Sequence, residues 1–132
     1  MRVNLYLSLL LTLASVSAPA SDDFDQRVAT AKALEDTPQG QAYDLVLYGA
    51  IGEQIQKTMV RCFPPDRKAD TKRFTLVADI LSNGSATRVD VRPQTKMSAC
   101  FLEGFTAAPF PKLPDYAKDG VLPIFIDMKI VH

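Results

Sequence analysis

An α+β domain stapled by one disulfide is the fold class this sequence predicts, and three observations carry it. Two runs of alternating residues, 74–81 and 86–92, flank Asn83-Gly84, the strongest short hairpin signal because both residues tolerate positive φ. Apolar residues at helical spacing fill much of the chain before them. Cys62 and Cys100 bracket the hairpin.

The N-terminal segment reads as an address rather than as structure. Arg2 supplies a positive start, and Leu5 to Val16 is apolar; a bilayer span needs about 20 residues, and this run has about a dozen. Ala18-Pro19-Ala20 gives the small-x-small pattern of a signal-peptidase site. Cleavage is expected after Ala20, since cutting after Ala18 would leave Pro19 just past the scissile bond. No cysteine lies near that point, which disfavours a lipoprotein, and no later apolar run is long enough for a membrane helix. The expectation is a soluble exported protein of the periplasm, with no stable membrane insertion after signal cleavage. Residues 1–20 are the signal peptide, 21–40 an N-terminal helix and linker, and 41–132 the main domain.

Removing residues 1–20 from the 132 leaves 112, one domain's worth, enough to bury about two-thirds of the unfolded chain's surface. One of the 15 basic residues leaves with the leader and none of the 15 acidic ones, so the mature charge is −1. Without a like-charged run, nucleic acid and anionic membrane are poor partners. Two cysteines in an oxidising compartment most simply form one structural disulfide. Closing a loop of about 39 residues stabilises the fold by roughly 4 kcal/mol in the chain-entropy model. The rival readings fit less well: a redox pair usually sits two residues apart, and a metal site wants four ligands.

Ser21-Asp22-Asp23 is an N-cap cluster with favourable acidic charge, and Phe24, Val28, Ala31 and Leu34 follow at helical spacing. Thr37-Pro38-Gln39-Gly40 breaks this helix. A stronger helix is predicted from Gln41 to Arg61. Its core-facing stripe is Tyr48, Ile51, Ile55 and Met59, with Leu45 and Gly52 on the same side. Glu53 and Lys57 pair on the wet face. Gly49 and Gly52 lower helix propensity and suggest a close backbone approach. Cys62-Phe63-Pro64-Pro65 ends the helix. In the charged loop Asp66 to Arg73, residues Arg67, Lys68, Lys72 and Arg73 form either a basic rim for a partner or, more simply, a solvated connector.

Phe74 to Leu81 and Ala86 to Arg92 are the clearest strands. Phe74, Leu76, Ala78 and Ile80 alternate with Thr75, Val77, Asp79 and Leu81, and Val89 and Val91 alternate with Arg88, Asp90 and Arg92. Residues 98–109 read as a short helix capped by Ser98, with Cys100 in its first turn and Phe101, Leu102 and Phe105 as contacts. Phe110-Pro111-Lys112-Leu113-Pro114 leads out of it. A last strand runs from Val121 to Val131, with Ile124, Ile126, Met128 and Ile130 on one face and Phe125, Asp127 and Lys129 on the other.

In that order, a helix ending in a proline segment, an Asn-Gly hairpin, a short helix, a Phe-Pro-x-x-Pro exit and a last strand resemble the C-terminal domains of the TolA and TonB family. The TolA version is closer, because Cys62 and Cys100 occupy the places of its two cysteines. The resemblance covers residues 43–131. It implies a three-stranded antiparallel sheet of order 2-1-3 with helices packed on one face. A hairpin followed by a right-handed crossover supports the same order. It also implies recruitment of a partner segment as an added strand on a sheet edge. Family members carry an uncleaved membrane anchor and a long spacer, whereas this leader reads as cleavable. What the resemblance implies here is therefore the binding mode rather than energy transduction.

The partner-binding edge is expected on the last strand, at Ile124, Phe125, Ile126, Asp127 and Lys129. The alternative is that Pro123, Asp127 and Lys129 blunt that edge against aggregation. The leading functional expectation is a non-enzymatic periplasmic protein-binding module serving a cell-envelope or secretion partner. The runner-up is a periplasmic inhibitor or immunity protein that captures a toxin or hydrolase. No cofactor is implied. Catalysis fails on inventory: His132 is the sole, terminal histidine, no serine or cysteine has an evident activating partner, and no phosphate loop or metal-ligand spacing occurs. The one catalytic route left open is an acid pair assembled only by the fold.

Overall fold

The computed structural model describes residues 23–66, 68 and 70–131. The expected signal peptide, the cap residues Ser21 and Asp22, Arg67 of the basic loop and His132 lie outside the described residues. Helices α1 (Asp23–Glu35) and α2 (Pro38–Cys62) precede strands β1 (Phe74–Leu81) and β2 (Ala86–Arg92). Helix α3 (Lys96–Thr106) and strand β3 (Val121–Met128) follow. The antiparallel sheet has the order β2-β1-β3, as expected, and Cys62 and Cys100 form the disulfide, with Cα atoms 5.8 Å apart.

Helices α2 and α3 lie on one face of the sheet, where Phe74, Leu76, Ala78 and Ile80 of β1 meet Tyr43, Leu47 and Ile51 of α2 and Phe101 and Phe105 of α3. Phe74 and Phe101 meet edge to face with centroids 5.5 Å apart, and Phe105 continues the cluster to Phe110 at 5.1 Å. Burial of such rings supplies most of the stabilising area in a domain of this size. Phe110, at the start of the proline exit, is thus part of the core.

The N-terminal helix α1 covers the opposite face. Strand alternation sends Val77 and Asp79 of β1 away from α2, yet they are only 0% and 7% exposed. Arg27 of α1 stands 3.6 Å from the Asp79 carboxylate, and Arg88 of β2 donates to the same group at 3.1 Å and to Asp23 at 3.2 Å. The Arg92 guanidinium lies 5.3 Å from the Phe24 ring centre. A weakly apolar helix is therefore held by ion pairing as much as by Phe24 and Ala31.

Several local expectations are corrected. Helix α2 starts at Pro38, because Thr37 is its N-cap, accepting from Gly40 N–H at 3.0 Å, and proline fits the first helical position. Of the expected stripe, Ile51 is in the core and Ile55 and Met59 pack against it, joined by Tyr43, Leu47, Thr58 and Cys62. Leu45 and Tyr48, expected inside, are 78% and 56% exposed. The first half of α2 is apolar on most sides, so periodicity alone does not fix its phase. Gly49 and Gly52 have nothing within 4 Å of where a Cβ would stand; the close approaches are at Gly40, under Glu35, and Gly104, under Thr58. Helix α3 begins at Lys96 and ends at Thr106, with Thr95 as cap and Ser98 at the third position of a capping box. In the hairpin turn, 82–85, only Gly84 is left-handed, at φ 81°. Strand β3 ends at Met128.

Candidate functional site

The two sheet edges differ in what they leave free. β2 carries a bulge opposite Val77–Asp79, with Arg88 at φ 51°. Its main-chain groups are also engaged locally. Asp90 accepts from Val91 N–H at 2.8 Å, and Arg27 donates to the Arg88 carbonyl at 2.7 Å. These are the means by which proteins close an edge.

β3 pairs with β1 over eight residues without a register break, from Phe74↔Met128 to Leu81↔Val121. The direction of its peptides follows from three bonds. Leu81 N–H donates across the hairpin to Ser85, so it does not face β3, while Val121 N–H turns outward to Lys118. Pro123 has no N–H to lose from the ladder. Alternation then makes Leu81↔Val121, Asp79↔Pro123, Val77↔Phe125 and Thr75↔Asp127 the pairs that do not exchange hydrogen bonds. The outward groups of β3 are the N–H and C=O of Phe125 and Asp127 and the C=O of Pro123. Among the described residues no backbone group from another element bonds to them.

The expected partner residues are placed unequally by this geometry. Ile124 is 9% exposed and faces the core, Phe125 and Ile126 are half-buried, and Asp127 is exposed. Lys129 lies just past the end of the strand. The Asp127 carboxylate accepts from Arg73 and from Thr75 Oγ1 at 3.2 Å. Those bonds, the one from Arg73 foremost, hold it below the ordinary aspartate range. Arg73 is therefore tied to the sheet, apart from the exposed Lys68 and Lys72 of the same loop.

At the other end of β3 the turn from α1 to α2 passes around the strand, with α1 on one face and α2 on the other. It brings together residues that sequence reading did not join. Glu35 and Asp44 line one cavity of about 20 Å³ with Leu34, Tyr43, Tyr48, Ile51, Tyr116 and Leu122–Ile126 of β3. That volume is room for about one water. Burial, then the charge and hydrogen bond of Asp44, push Glu35 up to about 7. Asp44 is also raised, chiefly by burial. In its protonated form Glu35 donates a hydrogen bond to the Asp44 carboxylate. Tyr48 and Tyr116 are raised by burial and by the two carboxyls. Tyr43, 7% exposed, packs edge to face on Tyr116 at 6.5 Å, and its buried hydroxyl has no hydrogen-bond partner. The fold does assemble an acid pair. The only sequence signal for it was Glu35 and Asp44 flanking the Thr37-Pro38 break, which by itself fixes no distance.

Among the described residues no cluster of three or more His, Cys, Asp and Glu side chains is placed to hold a metal ion. No helix among them is long and apolar enough to cross a membrane. Comparison with protein-family models, curated proteins and solved structures finds no match for this chain.

Proposed function

We propose that the protein is a non-enzymatic binding module of the periplasm that takes an extended partner segment as a fourth strand on β3. The observation that carries this reading is the contrast between the edges: β2 is bulged and locally bonded, while β3 keeps the outward groups of Phe125 and Asp127 unpartnered. Unpaired edge groups supply affinity through main-chain hydrogen bonds, and alternate side chains supply selectivity. The cavity beside the turn from α1 to α2 is lined by Leu122 to Ile126, so the added strand starts at Phe125 and runs toward Val131. Ile126, Met128 and Ile130 lie along one side of it, half-buried, and the exposed Asp127 along the other. The disulfide belongs with an oxidising compartment, and the leader directs export. The two-cysteine pattern and element order support kinship with the TolA-type domains, which recruit partners in this way. The acid pair favours binding over catalysis, because the cavity where the two carboxyls meet admits only a group the size of water.

The test is crosslinked capture from a periplasmic extract, followed by titration of the captured segment into isotope-labelled protein. The amide signals of Phe125 and Asp127 are expected to shift or broaden while those of Thr87 to Val91 hold still. Saturation without change along β3 would sink the reading. A tight one-to-one complex with a hydrolase or toxin, seated away from β3, would replace it with an inhibitor.

A further inference from the structure

Beside the edge of β3 lies a cavity whose titratable lining is two carboxyls and three tyrosines. Its polar side chains are Glu35 from α1 and Asp44, Tyr43 and Tyr48 from α2, with Tyr116 from the loop before β3; Leu122 to Ile126 of β3 also line it. No lysine or arginine lines it. Two carboxyls meet there, and Tyr43, a lining residue more than nine-tenths buried and packed on Tyr116, has a hydroxyl with no hydrogen-bond partner. Carboxylates with aromatic rings around them are the chemistry that recognises an organic cation. The volume of about 20 Å³ admits an ammonium group, which is about the size of a water, but not a planar guanidinium.

The geometry points to this cavity as a lysine-binding subsite, taking the ε-ammonium of a lysine at the end of the strand added to β3. The inference rests on the proposed strand addition, which brings such a side chain to the mouth of the cavity. Lysine suits the role because its head is a compact point charge on a long apolar stem, whereas guanidinium is broad and fork-shaped. The ammonium would lie between Glu35 and Asp44, donate to both, and offer its remaining N–H to the Tyr43 hydroxyl. An ammonium seated there displaces any proton held by the pair, so binding is linked to proton release. The groups facing the pair are Asp36 in the turn, Tyr43 and Tyr48 on α2, and Tyr116. Each is acidic or neutral at pH 7, and none competes with the ligand as a cation.

The experiment uses the whole mature protein. Butylammonium and butylguanidinium are titrated separately at pH 6 and pH 7 while the carboxyl ¹³C signals of Glu35 and Asp44 and proton uptake or release are followed. Butylammonium is expected to shift both carboxyl signals, to release a proton, and to bind roughly five- to tenfold more tightly at pH 7 than at pH 6, because the proton competes with the cation. Butylguanidinium is expected to do neither. Glu35→Gln and Asp44→Asn, which keep side-chain size and hydrogen bonding, should each lose the response with the fold intact by circular dichroism. No carboxyl shift, or equal response to both cations, overturns the proposal. In a second arm, N-acetylated eight-residue alternating valine–threonine peptides carry a terminal lysine or norleucine, and a third peptide has norleucine with a free amino terminus. The lysine peptide should perturb the Phe125 and Asp127 amides at tenfold lower concentration than the other two. Equal action of the lysine and norleucine peptides overturns the lysine subsite but leaves strand addition standing. Preference for the free amino terminus assigns the cavity to a chain end and overturns the side-chain source. Butylammonium binding with no peptide effect on β3 removes strand addition, and the lysine source with it.

Discussion

Gly104 shows how one missing methyl group sets a helix crossing. A Cβ there would stand 2.8 Å from Thr58 Cβ and overlap the Thr58 hydroxyl, which is fixed by donating to the Gln54 carbonyl at 2.8 Å. Because threonine is branched at Cβ and stiff, Gly104→Ala should destabilise by about 1–3 kcal/mol through overpacking. Gly49 and Gly52, by contrast, have open space around them in the interior of α2. Gly49→Ala and Gly52→Ala should each stabilise by about 0.5–1 kcal/mol. Urea unfolding of the three variants separates the cases, and a stabilising Gly104→Ala would refute the close crossing of α2 and α3. At the same scale, Cys62→Ser with Cys100→Ser should cost roughly 4 kcal/mol, since the bridge closes a separation of 38 residues. Arg73 and Thr75, by contrast, hold an exposed Asp127, and an exposed pair of this kind is worth only about 0–1 kcal/mol. Its use is positional, keeping the carboxylate clear of the outward peptide groups.

Helix α1 is the element whose attachment is least like a hydrophobic core. Its buried apolar residues are Phe24 and Ala31, and its anchor is the Arg27–Asp79 pair, with side chains only 12% and 10% exposed. Removing one partner of a buried pair leaves the other charge stranded, at a cost of about 3–5 kcal/mol. Arg88 also reaches Asp79 and offsets part of that. Arg27→Ala should therefore loosen α1 selectively: its amides exchange faster while those of β1 stay protected. Uniform loss across the molecule would show that α1 is an integral part of one cooperative unit. The turn at the end of α1 carries a pH dependence of its own. Glu35 titrates at about 7 when folded against 4.5 ordinarily, so the folded chain keeps a proton that the unfolded chain has lost. That contribution is full below about pH 4.5 and is lost as pH rises through 7. For a partly exposed carboxyl the effect is small, on the order of a few degrees in Tm. Thermal melts from pH 4.5 to 8 should show the decline in the wild type and a flatter profile in Glu35→Gln; parallel profiles would contradict the shared proton.

For the whole molecule, the class, the element order and the 2-1-3 sheet were legible in the sequence, because alternation, Asn-Gly and the proline breaks act locally. β1 and β2 were legible to the residue for the same reason. What escaped depends on partners distant in the chain. Asp79 reads as a solvent-facing strand residue until α1 brings Arg27 to it. Thr58 reads as polar surface until its hydroxyl is seen bonded within α2 under Gly104. Glu35 and Asp44 read as helix-surface charges until the turn around β3 puts them in one cavity. The expected edge strand was found at a sheet edge, but only the peptide directions show that Phe125 and Asp127 face outward. That asymmetry is the centre of the account, and residue-resolved hydrogen exchange tests it most directly. In the free protein the amides of Phe125 and Asp127 should exchange fast between protected neighbours at Ile124 and Ile126. With the captured partner bound, both should become protected while Thr87 to Val91 remain as before. Protected Phe125 and Asp127 amides in the free protein, or protection appearing at β2 instead, would contradict it.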